Sequence, residues 1–214
     1  MMDVEIWSDV LCPFCYIGKK HFEAALKASG VSEQVNVVYR SFELDPSAQK
    51  SQSVSIYESL AKKYGRSVEW AKEANTSVEQ TASKAGIEIN TEKIIPTNSH
   101  DAHRLIHLAK HHGRQNEMVE RLFKAYFTDG QDIAKAEVLR DLAKDVSLPP
   151  AEVDALIAST QFQNEARADE MQAQELGIRG VPLFLFNGEH ALSGAQPAET
   201  FVEVFKALQQ TPSR

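Results

Sequence analysis

Two hydrophobic periods run along this chain, and the places where one gives way to the other divide it into three parts. Near the start, Val4, Ile6 and Trp7 mark a short strand, and Val35 to Phe42 (VNVVYRSF), rich in β-branched and aromatic residues, reads as a second. Between them the spacing predicts a helix from about Pro13 to Ala28. Phe22, Ala25 and Leu26 form its apolar stripe, proline occupies its first turn and Gly30 stops it. Strand, helix and strand of these lengths make a βαβ unit with a right-handed crossover. Asp45-Pro46 and the Ser/Gln-rich residues 47–55 then break the pattern.

From about Ile56 to Leu148 nearly every segment has helical period. One helix is capped by Ser67 and stopped by Gly86; another runs from Asn98 to His112 and stops at Gly113. Met118, Val119, Leu122, Phe123, Tyr126 and Phe127 then repeat at 3.6 residues, and a further helix spans about Lys135 to Lys144. Pro149-Pro150 opens a short helix ended by Ser159-Thr160. A block this long and regular is not a loop. It reads as a helical insertion into an α/β frame. The frame resumes with a helix from Phe162 to Leu176, the buried-type strand Leu183 to Phe186, the turn pair Asn187-Gly188, and a short strand at His190 to Leu192. A last amphipathic helix carries Phe201, Val204, Phe205 and Leu208 on one face.

Composition narrows the function classes. At 214 residues the chain suffices for one large domain or a domain with a sizeable insertion. A net charge of −7 without a block of Lys or Arg lacks the footprint of a nucleic-acid binder. No apolar run approaches the ~20 residues of a membrane span. The opening MMDVEIWSDV carries Asp3, Glu5 and Asp9 and lacks the pattern of a secretory signal, so a cytoplasmic location is expected.

The only two cysteines, Cys12 and Cys15, stand three apart where the first helix begins. A disulfide between them closes too small a ring to brace a fold, because loop-closure gains grow with the chain enclosed. Chemistry explains the pair better. At a helix N-terminus, free N–H groups and the dipole favour a thiolate, so Cys12 is the candidate nucleophile. Cys15, one turn further in, is placed to resolve a mixed disulfide. A structural metal site needs more ligands, and no second CxxC exists, so no metal is expected.

These residues carry a resemblance. A strand leading into Cys12-Pro13-Phe14-Cys15 at a helix start, with Gly180-Val181-Pro182 before a hairpin, resembles the thioredoxin fold, and the large helical insertion is similar to the DsbA-like branch. Ser8-Asp9-Val10, Tyr16-Ile17-Gly18, Asp101-Ala102-His103-Arg104-Leu105, Leu122 to Phe127 and Ser193 to Pro197 resemble its FrnE-like subfamily in the expected order. The resemblance implies an α/β thioredoxin fold with an all-helical insertion: residues 1–46 and 161–214 form a discontinuous thioredoxin-like domain and 47–160 the insertion. It also implies a thiol–disulfide oxidoreductase or isomerase acting on thiol- or disulfide-containing proteins or small molecules. No resident cofactor is implied, and glutathione is a possible co-substrate.

Within that reading, Pro182 is expected in the cis form against the cysteines, with the Val181 backbone open to an extended substrate. Pro13 and Phe14 tune the pair and contact the client. Phe14 carries no charge, so the couple should be less oxidising than a DsbA with histidine between its cysteines. Kappa-class glutathione transferases and 2-hydroxychromene-2-carboxylate isomerases share the architecture but typically carry serine at the position of Cys12, which leaves glutathione-dependent isomerisation as the alternative. A redox-independent binding protein is a third. Asp9, three residues before Cys12, either caps the turn into the helix, the preferred reading, or bears on the thiol's titration. Trp7 is read as core. His100, His103, His107 and His111 share a helix face, read as a solvated stripe.

Overall fold

The computed structural model describes residues 1–210; the last four residues of the 161–214 segment lie outside the described residues. Strand β1 (Met2–Ser8) is an inner strand of the sheet, paired on both sides. Along one side β2 (Val35–Ser41) runs parallel, with Met2 opposite Val35 and Ser8 opposite Ser41. On the other side β3 (Leu183–Phe186) runs antiparallel, with Val4 opposite Phe186 and Trp7 opposite Leu183. Strand β4 (His190–Ser193) pairs antiparallel with β3, giving the order β2-β1-β3-β4. Asn187 and Gly188, at φ 51° and 69°, make the left-handed turn that a tight hairpin needs. A parallel crossover pair followed by an antiparallel hairpin is the thioredoxin arrangement.

Helix α1 (Pro13–Ser29) joins β1 to β2 and ends where predicted. Gly30 adopts φ 64°, and the Val31 N–H reaches back to the Leu26 carbonyl at 3.3 Å. Seven helices fill the span between β2 and β3: α2 (Ile56–Tyr64), α3 (Val68–Lys84), α4 (His100–His111), α5 (Gln115–Phe127), α6 (Ala136–Asp145), α7 (Pro150–Ile157) and α8 (Gln163–Glu175). Ser55, in the stretch read as a break, opens α2 with a reciprocal capping box to Glu58, and Ser67 caps α3 through the Trp70 N–H. Helix α9 (Ala198–Gln210) closes the described chain.

One buried core runs through sheet and insertion. Phe22 of α1, Phe184 of β3 and Phe201 and Phe205 of α9 form an aromatic cluster with centroids 4.7–5.8 Å apart where they meet. Tyr16 of α1 carries it on, stacking flat on Phe123 of α5 at 4.8 Å. Its hydroxyl donates to Glu120 at 2.9 Å, and the buried Lys19 Nζ lies 2.9 Å from the same carboxylate. A lysine buried this completely is tolerated only when paired, and Glu120 and Glu23 supply the partners. The redox-motif helix is thereby clamped to the insertion.

The histidine stripe is not solvated. His103 and His107 are buried, His100 is half-buried and only His111 stands in the open. The physical reason is that each inward ring lies beside a buried carboxylate from another element, Asp9 for His103 and Asp169 for His107. His107 Nε2 stands 3.1 Å from Asp169 of α8 and from the Ser41 hydroxyl. Asp169 also accepts from the Ser41 N–H at 2.9 Å and Arg40 Nη1 at 3.0 Å, while its backbone carbonyl takes the Trp7 indole N–H at 3.0 Å. Trp7 is thus fully buried core, as read from the sequence.

Candidate functional site

Cys12 occupies the N-cap of α1, with Pro13 following at the first helical position. Proline there loses nothing, since that N–H has no intrahelical acceptor. No side chain caps this end. The N–H groups left over therefore bear on whatever anion sits at Cys12. The two cysteines are free thiols, and both are buried. They differ in what they face. Cys12 lines a cavity of about 590 Å³; Cys15 does not.

The Cys12 thiol is held below its ordinary range, chiefly by hydrogen bonding with Cys15 and then by the Cys15 and Phe14 N–H groups; burial and the Asp9 charge oppose this. Burial pushes the Cys15 thiol well up, and the charge on Cys12 adds to it. The motif thus separates one thiol disposed to ionise from one disposed to keep its proton.

Val181-Pro182 is cis, and the Cys12 sulfur lies 3.8 Å from the Val181 carbonyl oxygen. The loop that ends at β3 therefore stands beside the start of α1. Gly18, one turn after Cys15, makes this approach possible. A Cβ there would stand 3.1 Å from Pro182 Cγ, 3.4 Å from Phe184 Cζ and 3.5 Å from Ala195 Cα. The Gly18→Ala variant gains up to about 1 kcal/mol of helix propensity but loses about 1–3 kcal/mol to overpacking. We expect a lowered melting temperature and a displaced Pro182 loop, seen as altered alkylation of Cys12. A raised melting temperature with unchanged alkylation would show that Pro182 yields freely.

The six residues singled out in the sequence lie close together: Cys12, Pro13 and Phe14 line the cavity, Cys15 follows one turn on, the Val181 carbonyl stands beside the Cys12 sulfur, and Pro182 packs toward Gly18. Phe14 is 46% exposed, consistent with a contact surface. Sequence reasoning missed the far wall. Leu60, Tyr64, Trp70 and Val78, from α2 and α3, enclose the cavity opposite the cysteines. Tyr64 and Trp70 meet edge to face at 5.5 Å and remain partly exposed at its mouth.

Cys12 is the N-cap residue itself, while Asp9 caps the turn into the helix, the preferred sequence reading. Its carboxylate accepts from the Leu11 N–H at 3.1 Å, bracing the turn, and from the Leu44 N–H at 2.8 Å, beyond β2. It is fully buried, with His103 Nε2 3.6 Å away. Burial alone would raise its pKa, but His103 and the two N–H donors hold it low. Among the described residues no group of three His, Cys, Asp or Glu side chains is placed to hold a metal ion, and no helix is long and apolar enough to cross a membrane.

The profile of the DSBA-like thioredoxin domain matches residues 3–206. The uncharacterized protein YwbO of Bacillus subtilis is 31% identical over 200 residues, covering 92% of both chains. The crystal structure of a probable DsbA oxidoreductase from Streptomyces coelicolor superposes with a TM-score of 0.93 at 38% identity, covering all of this chain and 93% of that one. The cytosolic disulfide reductase DsbM of Pseudomonas aeruginosa shares the fold at 17% identity and a TM-score of 0.69, over 98% of this chain and all of its own. With the matched profile spanning nearly its whole length and the redox motif at its expected place, the chain belongs to the DSBA-like thioredoxin domain family.

Proposed function

We propose that this protein is a cytoplasmic thiol–disulfide oxidoreductase of the FrnE-like branch, with Cys12 as nucleophile and Cys15 as resolving thiol. One observation carries the reading: the thiol disposed to ionise is the one that faces the cavity, while its partner sits behind it in the helix. The Cys12 thiolate attacks one sulfur of a substrate disulfide, forming a mixed disulfide and expelling the other sulfur as a thiolate that takes up a proton. The Cys15 thiol then gives up its proton and attacks the Cys12 sulfur. A Cys12–Cys15 disulfide forms and the second substrate thiol leaves, two electrons having passed to the substrate. The same steps reversed oxidise a dithiol. No resident cofactor is needed.

Pro182 and the Val181 backbone orient the substrate strand beside Cys12, and Pro13 and Phe14 shape the rim. The cavity lining is apolar apart from Asn75, Ser77, Thr81 and a single charged side chain, Lys63. Its volume is that of a small-molecule site. It favours a client carrying an apolar group next to the reacting sulfur. Glutathione serves better as the thiol that recycles Cys12–Cys15 than as the preferred client, and DsbM has a structure with glutathione.

Equilibration of the Cys12–Cys15 couple against glutathione buffers tests the reading. We expect a reversible two-electron couple that is more reducing than the roughly −120 mV of DsbA, because Phe14 brings no cation to the thiolate. A potential that oxidising would overturn the expectation drawn from Phe14, and no reversible couple at all would remove the function.

A further inference from the structure

Beneath the redox motif, Asp9 and His103 form an ionisable pair that the exchange steps above do not use. Both are buried; the Asp9 carboxylate belongs to the turn into α1 and His103 comes from α4 in the insertion. His103 Nε2 approaches Asp9 Oδ1 to 3.6 Å, an ion-pair distance too long for a direct hydrogen bond, and it has no hydrogen-bond partner. A buried ring nitrogen without a hydrogen bond, at this range from a buried carboxylate, is placed for an ion pair. The Asp9 carbonyl in turn accepts the Cys12 N–H at 3.0 Å, so the carboxylate stands one turn from the nucleophile's own backbone.

Resting on the assignment of Cys12 as nucleophile, we infer that His103 is a positioning residue for the redox pair. Its imidazolium cancels the Asp9 charge that would otherwise oppose the Cys12 thiolate.

The surroundings support a protonated ring. Burial would strip its proton, but Asp9 at contact range, and then Glu43 after β2 and Glu170 of α8, outweigh that and raise its pKa. Glu43 is itself engaged by His100 Nδ1 at 2.9 Å. From β1 and β2, Ser8, Tyr39 and Arg40 line the small cavity beside the ring, and Tyr126 of α5 feels the Asp9 charge. Arg40 is the one cation there, and Glu5 and Asp169 already hold it. Asp9 bears on Cys12 in the direction that disfavours the thiolate. Without the imidazolium that opposition is uncompensated.

The test reads Cys12 ionisation directly, from the ultraviolet thiolate absorbance of the reduced protein and from iodoacetamide alkylation mapped to the residue by mass spectrometry. The His103→Gln variant is expected to move the Cys12 titration up by about one pH unit, slowing alkylation about tenfold below that range. Adding Asp9→Asn should bring the titration back to that of the parent protein. No shift in the single variant, or a double variant as shifted as the single one, overturns the inference. If His103→Gln does not fold, nitrogen NMR of the unaltered reduced protein decides: His103 doubly protonated at pH 7 supports the assignment and a neutral ring overturns it. Alkylation that maps to Cys15 in the parent protein instead removes the assignment of Cys12 as nucleophile, a different failure with a different signature.

Discussion

Disulfide reductase activity is expected to fall by on the order of 10³-fold or more in the Cys12→Ser variant, because a serine hydroxyl is neither ionised at neutral pH nor able to form the mixed disulfide. The Cys15→Ser variant should behave differently. Its Cys12 still attacks, but no resolving thiol follows, so a covalent adduct accumulates and is released by added dithiol. Insulin reduction read by turbidity, with intact-mass analysis of the two variants, measures both. Retention of full activity by Cys12→Ser would discard the catalytic role of Cys12. An adduct found on Cys15 in the Cys12→Ser variant, equal in yield to that on Cys12, would show that the two thiols are not differentiated as their surroundings imply.

The second large effect is on stability. Asp169 gathers the Ser41 N–H, the Arg40 guanidinium and His107 at 2.9–3.1 Å, behind the sheet. Its side chain retains 4% of its surface. Removing one partner of such a buried ionic group leaves the others uncompensated, at a cost of about 3–5 kcal/mol. Against a total stability of about 5–15 kcal/mol this is a large fraction. The Asp169→Ala variant is therefore expected to melt roughly 10 °C or more below the parent protein. Thermal and urea unfolding would check it; a fall of less than about 1 kcal/mol would mean that the site relaxes and lets water in. The pH dependence gives an independent readout. Burial would raise the Asp169 carboxyl, but His107, the Ser41 N–H and Arg40 hold it below its ordinary value. A carboxylate depressed in the folded state contributes fully above its unfolded pKa of about 3.9, and the contribution is lost as pH falls through the folded value. The acid limb of the stability curve below about pH 4 should therefore be shallower in Asp169→Ala.

Much of this site was legible in the sequence, for local reasons. A strand running into Cys12-Pro13-Phe14-Cys15 fixes a helix start through the proline, and the helix start fixes which cysteine faces out. Asn187-Gly188 specified the hairpin, and the hairpin placed Val181-Pro182 at its mouth. What was not legible is pairing across long stretches of chain. Four histidines at helical spacing look like a polar stripe, because periodicity reports which positions share a face, not what covers that face. Asp9 and Asp169, the carboxylates that allow His103 and His107 to be buried, come from the opposite ends of the chain. The apolar wall from α2 and α3 was hidden for a related reason. Tyr64 and Trp70 sit in two polar-rich helices whose moments say little about which residues gather over Cys12.

The hydrogen bond from the Leu44 N–H to Asp9 has a further bearing on the chemistry. Leu44 is half-open at the lip of the cavity, so the main chain at the entrance hangs on the same carboxylate that stands below the nucleophile. The same carboxylate also accepts from the Leu11 N–H and faces His103, so three elements meet on it. The entrance to the cavity and the turn that carries the nucleophile are thus fastened to a single side chain.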